Sequence, residues 1–245
     1  MKIMISNDDG IFAPGIAALT KAFCEAGHEV IVCAPDSQRS AASHSLSIGR
    51  PVTVKKAQLD GAKEAYAIGG TPADCVKLGM TILHQDCDAV ISGVNCGYNA
   101  GTDILYSGTV AAALEGAICG VPGLAVSQPH GRKDYAQAAA LAVQVFEQMM
   151  AEKPAPYTVW NLNYPDCDCP KGLVTALMEP LHYDETYALT GSEDGCDTYV
   201  LSGRIDESRE QSDDYVKLSQ GYATLTVLHA DLTDRAAQRA VEMKL

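Results

Sequence analysis

Apolar and polar residues alternate in blocks along the first two thirds of the chain, and each apolar block ends in a turn-forming cluster. Ile3 to Ile5 read as a buried strand, closed by the polar turn Asn7, Asp8, Asp9 and Gly10. Pro14 then opens a helix whose apolar face carries Ile16, Leu19 and Phe23, with Gly27 as its stop. "HEVIVCAPD" supplies a second strand ending at Ala34, and the Ser-rich loop "SQRSAASHSLS" follows. "PVTVKK" and "EAYAIG" read as two strands joined through "LDGAK", a hairpin that departs from parallel order.

A helix begins near Thr71 and Pro72, and the strand from Asp88 to Ser92 runs into a loop rich in Gly and Asn. A helix near Ser107, the short strand "PGLAVS", the Ala-rich helix from Tyr135 to Glu152 and the strand "APYTVWNLNYP" complete the series. Trp160, on that last strand, reads as packing. Repeated strand, loop and helix predict an α/β fold, with a mostly parallel sheet covered on both faces. The final third differs: "YVKLSQGYATLTVLHAD" reads as two strands parted near Gly221, and "GSEDGCDTYVLSGRIDESREQSDD" as an extended β-hairpin or oligomerisation arm. The expectation is one domain over 1–245, with assembly elements from about 180 to 245.

Composition narrows the function. With 47% hydrophobic and 20% charged residues the chain reads as a compact soluble enzyme. A formal net charge of -13 weighs against a nucleic-acid polymer or an anionic membrane surface as partner. A core strand starting at Lys2 leaves no room for a leader, and no apolar run reaches membrane-spanning length, so the expected location is cytoplasmic. Most of the nine cysteines, including Cys24, Cys33, Cys75 and Cys119, lie in apolar helix or strand patterns and read as reduced core thiols; Cys167 and Cys169 are too close for a zinc knuckle. Walker A, dinucleotide and "GxSxG" signatures are absent.

The chemistry-bearing residues fall on loops after strands, where open α/β sheets bind ligands. Asp8 and Asp9 serve a turn and helix cap, or bind a cation together. Two carboxylates supplemented by Asn95 and a serine hydroxyl suit Mg²⁺ or Mn²⁺. Ser107, Gly108 and Thr109 open a helix, which fits a cap or a phosphate. His44 and His130 stand in loops as proton-transfer groups or as solvated or packing side chains. Tyr98 and Tyr106 frame a nucleoside or pack.

"NDDG" followed by "APG", then "APD…S", "GTPADC", "SGVNxGxNxGxDxxYSGTVAAA" and "NLNYP" resemble, in that order, the SurE family of 5'/3'-nucleotidases. The resemblance runs from the N-terminus to about Pro165 and resumes weakly at "GYATLTVL". It implies a Rossmann-like three-layer α/β/α sandwich and a metal-dependent phosphomonoesterase acting on nucleoside monophosphates. One Mg²⁺ or Mn²⁺ per subunit is implied, on Asp8, Asp9, Ser40 and Asn95, with Asp8 also moving protons. Asn99, Ser107, Gly108 and Thr109 match the phosphate side, and a homodimer or homotetramer is implied. A broad acid phosphatase or an exopolyphosphatase acting on short polyphosphate is the alternative enzyme, and a non-catalytic metal-dependent nucleotide-binding scaffold the alternative class. The sequence departs from the family pattern at Ala41, where Gly is frequent, at Cys96, where His is frequent, and at Ala223 and Val227.

Overall fold

The computed structural model describes residues 1–240. A nine-stranded sheet runs through it. Its strands are β1 (Lys2–Ser6), β2 (Glu29–Pro35), β3 (Val54–Ala57), β4 (Glu64–Ile68), β5 (Ala89–Cys96), β6 (Gly123–Gln128), β7 (Thr158–Asn163), β8 (Leu173–Thr175) and β11 (Ala223–His229). The order is β3-β4-β2-β1-β5-β6-β7-β11-β8. The six strands from β4 to β7 in that order are parallel, β3 is antiparallel to β4, β11 is antiparallel to β7, and β8 is parallel to β11. β3 and β4 form the hairpin expected from their spacing.

Strand alternation splits the core into two faces. Ile3 and Ile5 point to one side, where α1 (Pro14–Glu25) and α4 (Ala136–Glu152) bring Ile16, Leu19, Phe23 and Phe146. Met4 points to the other, where α2 (Pro72–Leu78) brings Cys75 and Val76, and α3 (Gly108–Ile118) brings Ala112. Helix, sheet and helix make the three layers of a Rossmann-like α/β/α sandwich. From β1 the chain first builds outward through β2 and β4, then returns to lay β5 on β1's other edge. The crevice between the carboxyl ends of β1 and β5 is the topological switch point, where such sheets bind ligands.

Among the described residues β9 (Tyr183–Glu193) and β10 (Cys196–Ile205) pair only with each other. This C-terminal hairpin leaves Tyr187, Leu189, Tyr199 and Val200 exposed. One expectation fails just beyond it. "YVKLSQ" lies on a helix, α5 (Asp213–Ser219), and only the following segment is a strand, β11. Acidic residues in its first turn and the Asp213–Lys217 pair at 2.7 Å favour the helix. Asp214 is buried and accepts the Gly101 N–H at 2.8 Å, which anchors that helix under the loop after β5. Tertiary contact here overrides the β-preference of Tyr215 and Val216.

Candidate active site

The turn after β1 is built by its own side chains. Asn7 Nδ2 donates to the Gly10 carbonyl at 2.9 Å, and the Gly10 N–H returns a bond to Asn7 Oδ1 at 3.2 Å. Gly10 has φ of 101°, a left-handed conformation that a side chain would strain. The turn sets Asp8 and Asp9 at the switch point, facing different neighbours.

Asp8 faces α3 and is buried. Its Oδ1 accepts a short hydrogen bond from the Thr109 hydroxyl, and the Thr109 backbone N–H also faces it. Burial pushes its carboxyl up to about 6, offset in part by the Thr109 hydroxyl, with the adjacent Asp9 charge adding to the rise. Gly108 makes this approach possible: a Cβ there would lie 2.9 Å from Asp8 Cβ and 3.0 Å from Pro72 Cγ. Ser107 is the N-cap of α3, its hydroxyl accepting the Val110 N–H at 3.0 Å. The sequence pattern "SGT" thus divides into a cap, a close approach and a partner for Asp8.

Asp9 is half-buried, and burial raises its carboxyl as well. Its Oδ2 accepts the Cys96 N–H at 3.2 Å, which stitches the β1 loop to the end of β5. Gln38 Nε2 donates to Ser40 Oγ at 3.0 Å and reaches Asp9 Oδ1 at 3.5 Å. Acceptor oxygens from two separate loops therefore converge on one electropositive group. Asn95 donates its Nδ2 to the Gly97 carbonyl at 2.9 Å, which leaves its Oδ1 as an acceptor.

The chain carries Ser40 back to the site through a loop that is tied down at several points. The Arg39 N–H donates to the Asp8 carbonyl at 2.7 Å and the Ser43 N–H to the Tyr106 carbonyl at 3.0 Å. Ser47 bonds the capping-box carboxylate of Asp74 at 2.7 and 2.9 Å. His44 Nε2 lies 2.7 Å from the buried Glu115, whose other oxygen takes Lys77 Nζ at 2.6 Å. Burial alone would raise the Glu115 carboxyl; the hydrogen bonds from His44 and Lys77 bring it below the usual range. Ala41 and Ser43 are held at φ of 55° and 49°, so Ala41 takes the conformation that a glycine adopts without cost.

Other expected residues are placed differently. Asn99 is buried and engaged: its Nδ2 donates to Ser127 Oγ at 2.8 Å, and its carbonyl accepts from Asn161 and Asn163. His44 is bound to Glu115 on the α3 side, whereas His130 Nδ1 lies 3.5 Å from Cys96 Sγ, near Asp9. Tyr98 lies near Asp166, its phenol pushed well up by burial, and Tyr106 is exposed. Glu115, Gln38 and Phe12 went unremarked in the sequence. The buried charge in "AAALEGA" was the available signal for Glu115.

The donor set fits a hard divalent cation: two carboxylates with raised proton affinity, a hydroxyl and an amide, all oxygen. Among the described residues no group of three or more His, Cys, Asp or Glu side chains forms a metal cluster. A cation here would thus draw half of its protein ligands from neutral groups. No helix among the described residues is long and apolar enough to cross a membrane.

The family model described as survival protein SurE matches residues 3–183. The chain is 42% identical over 243 residues to the 5'-nucleotidase SurE of Clostridium beijerinckii, covering 96% of each chain. It is 41% identical over 250 residues to the 5'-nucleotidase SurE of Solidesulfovibrio magneticus, covering 100% of this chain and 98% of that one. The crystal structure of SurE protein from Aquifex aeolicus aligns with a TM-score of 0.82 at 33% identity, covering 98% of both chains.

Proposed function

The chain belongs to the SurE family of 5'-nucleotidases and shares its nucleotidase activity; from that premise we propose that it is a divalent-metal-dependent phosphomonoesterase acting on 5' and 3' nucleoside monophosphates. The observation that carries the reading is that the Asp9 and Ser40 side-chain oxygens converge on Gln38 at the β1–β5 switch point, with Asp8 directly before Asp9 and Asn95 directly before the Cys96 whose N–H Asp9 accepts. Asp8, Asp9, Ser40 and Asn95 hold one Mg²⁺ or Mn²⁺ in this reading. When bound, such an ion polarises a phosphoryl oxygen and acidifies water.

The chain's own residues do the rest. The backbone N–H groups at the positive end of α3, where Gly108 and Thr109 stand, are the donors offered to the phosphate. Ser107 fixes that helix start, and Asn99 holds the loop that leads to it. Asp8 also assists proton movement in this reading; with no cation bound, burial pushes its carboxyl up to about 6. Thr109 orients Asp8 rather than spending its hydroxyl on phosphate.

We further infer that the whole chain acts as one phosphatase domain and that the exposed β9–β10 arm serves assembly into a homodimer or homotetramer, to be read by light scattering. The test of function is phosphate release from nucleoside monophosphates and short polyphosphates under Mg²⁺, Mn²⁺ and chelator. Hydrolysis of 5' and 3' monophosphates that stops on verified metal removal is expected. Turnover that survives metal removal overturns the mechanism, and hydrolysis of polyphosphate alone overturns the substrate.

A further inference from the structure

Beside Asp9 a cavity of about 460 Å³ opens between the β1 and β2 loops. It falls within the size range of small-molecule sites. Three features of its wall select an occupant. The first is charge: its lining carries the carboxylates of Asp9 and Asp36 and no Lys or Arg, and although Arg39, outside the lining, pairs with Asp36 at 3.2 Å, the wall holds more negative than positive charge. A phosphorylated or otherwise anionic group is repelled there, whereas a neutral group is not.

The second is Phe12, on the rim and 72% exposed. Its turn is rigid. Asn7 brackets Gly10 from both sides, the Ile11 N–H donates to the Pro35 carbonyl at 2.9 Å, and the Ala13 N–H donates to the Gly10 carbonyl at 3.0 Å. Ile11 beside it is fully buried. The fold therefore holds an aromatic ring out in water next to the candidate active site, a preformed surface for stacking. The third is Asp36, the residue directly after β2. In dinucleotide-binding α/β sheets an acidic side chain beyond the first βα turn accepts from a ribose hydroxyl, and Asp36 offers a carboxylate at a comparable place here without the Gly-rich fingerprint. Hydrogen bonds from Ser37 and Arg39 fall on Asp36 Oδ1, at 3.0 and 3.2 Å, which leaves Oδ2 to accept.

We propose that this cavity is the nucleoside subsite, with the base stacked on Phe12, the ribose on Asp36, and the phosphate directed past Asp9 toward α3. The inference rests on the phosphomonoesterase reading and gives that site its leaving-group side. A stacking surface reads no base edge, so purine and pyrimidine nucleotides are accepted alike. The acidic wall disfavours a polyphosphate chain in the same place.

The test compares wild type, Phe12→Ala and Phe12→Tyr on adenosine and uridine 5'-monophosphates and on glycerol 2-phosphate, an ester with no nucleoside. Phe12→Ala is expected to lower the ratio of kcat/KM on either nucleotide to that on glycerol 2-phosphate about ten-fold, mainly through KM, and Phe12→Tyr to restore it. Asp36→Ala is expected to erase any preference for adenosine over 2'-deoxyadenosine 5'-monophosphate. An unchanged ratio in Phe12→Ala overturns the subsite. Should the wild type release phosphate from no ester, the phosphomonoesterase reading falls, and calorimetric binding of adenosine 5'-monophosphate decides the subsite separately. Binding weakened about ten-fold by Phe12→Ala upholds it; equal affinity, or none in the wild type, overturns it.

Discussion

The carboxylate pair divides the loop edge into two unlike flanks. On the α2 and α3 flank Asp8 is enclosed: Thr109 bonds it, Gly108 lies against it, and its carboxyl titrates near 6. On the α1 and α4 flank Asp9 borders an open cavity and takes its main hydrogen bond from a backbone N–H. Two residues of one type, adjacent in sequence, thus receive different chemistry. What differs is the depth of solvent and the donors each meets, so one is suited to hold a proton and the other to present an open face to ligand.

The strongest way to break this contrast is to remove charge from the pair. Asp9→Asn should lower phosphate release at limiting Mn²⁺ by several kcal/mol of barrier, roughly 10³-fold, with the loss partly recovered at high Mn²⁺. A wild-type-like Mn²⁺ titration would remove Asp9 from the site.

Asp8→Asn should separate activity from stability. In the folded chain the Asp8 carboxyl titrates near 6, against a reference of 3.8. The folded state therefore holds the extra proton between those values, and stability falls as pH rises through that window. The difference corresponds to at most about 3 kcal/mol above pH 6. In chelator at pH 7.5 the Asp8→Asn chain should melt higher than wild type, the gap closing below pH 4, while its turnover is lost. Equal melting at both pH values would mean that Asp8 carries no burial strain.

Gly108→Ala sharpens the enclosed flank alone. The added methyl meets Asp8 and Pro72 at about van der Waals overlap and should destabilise by about 1–3 kcal/mol, as read by urea denaturation, with kcat/KM reduced as Asp8 shifts. The smallest effect belongs to Thr109. Thr109→Val keeps the shape but removes the donor to Asp8, for an expected loss of about 1 kcal/mol and a kcat/KM reduced about five- to ten-fold, whereas Thr109→Ser should stay near wild type. Equal kinetics for Val and Ser would leave the hydroxyl without a role at Asp8.

Much of this was legible before any coordinates. The β1 strand, its Asp-rich turn, the Pro14 helix and the parallel order follow from period and punctuation, because a strand buried on both faces must be apolar and its exit must turn. The motif around Ser107 was legible as a helix start for the same reason. Its internal division of labour was not. That Thr109 turns to Asp8 while Ser107 caps depends on the two strands that bring residue 8 against residue 109. Glu115 is not legible as a buried charge because its two partners, Lys77 from α2 and His44 from the 36–50 loop, come together with α3 only in the fold. The α5 helix was misread because its decisive bond, Asp214 to Gly101, spans more than a hundred residues.

By itself the sequence determined which segments are strands and helices over most of the sheet, which loops leave the strand ends, and which oxygen-bearing side chains stand on those loops. These are local matters, governed by side-chain periodicity and backbone preference within a few residues. Only the tertiary structure decided that β5 lies against β1 rather than beyond β4, and hence that Asp9 meets the Cys96 N–H. It also decided that Asp8 is enclosed while Asp9 is open, and that Phe12 stands on a rigid rim. Burial, proton affinity and cavity shape are properties of atoms brought together from distant parts of the chain, and no window of neighbouring residues contains them.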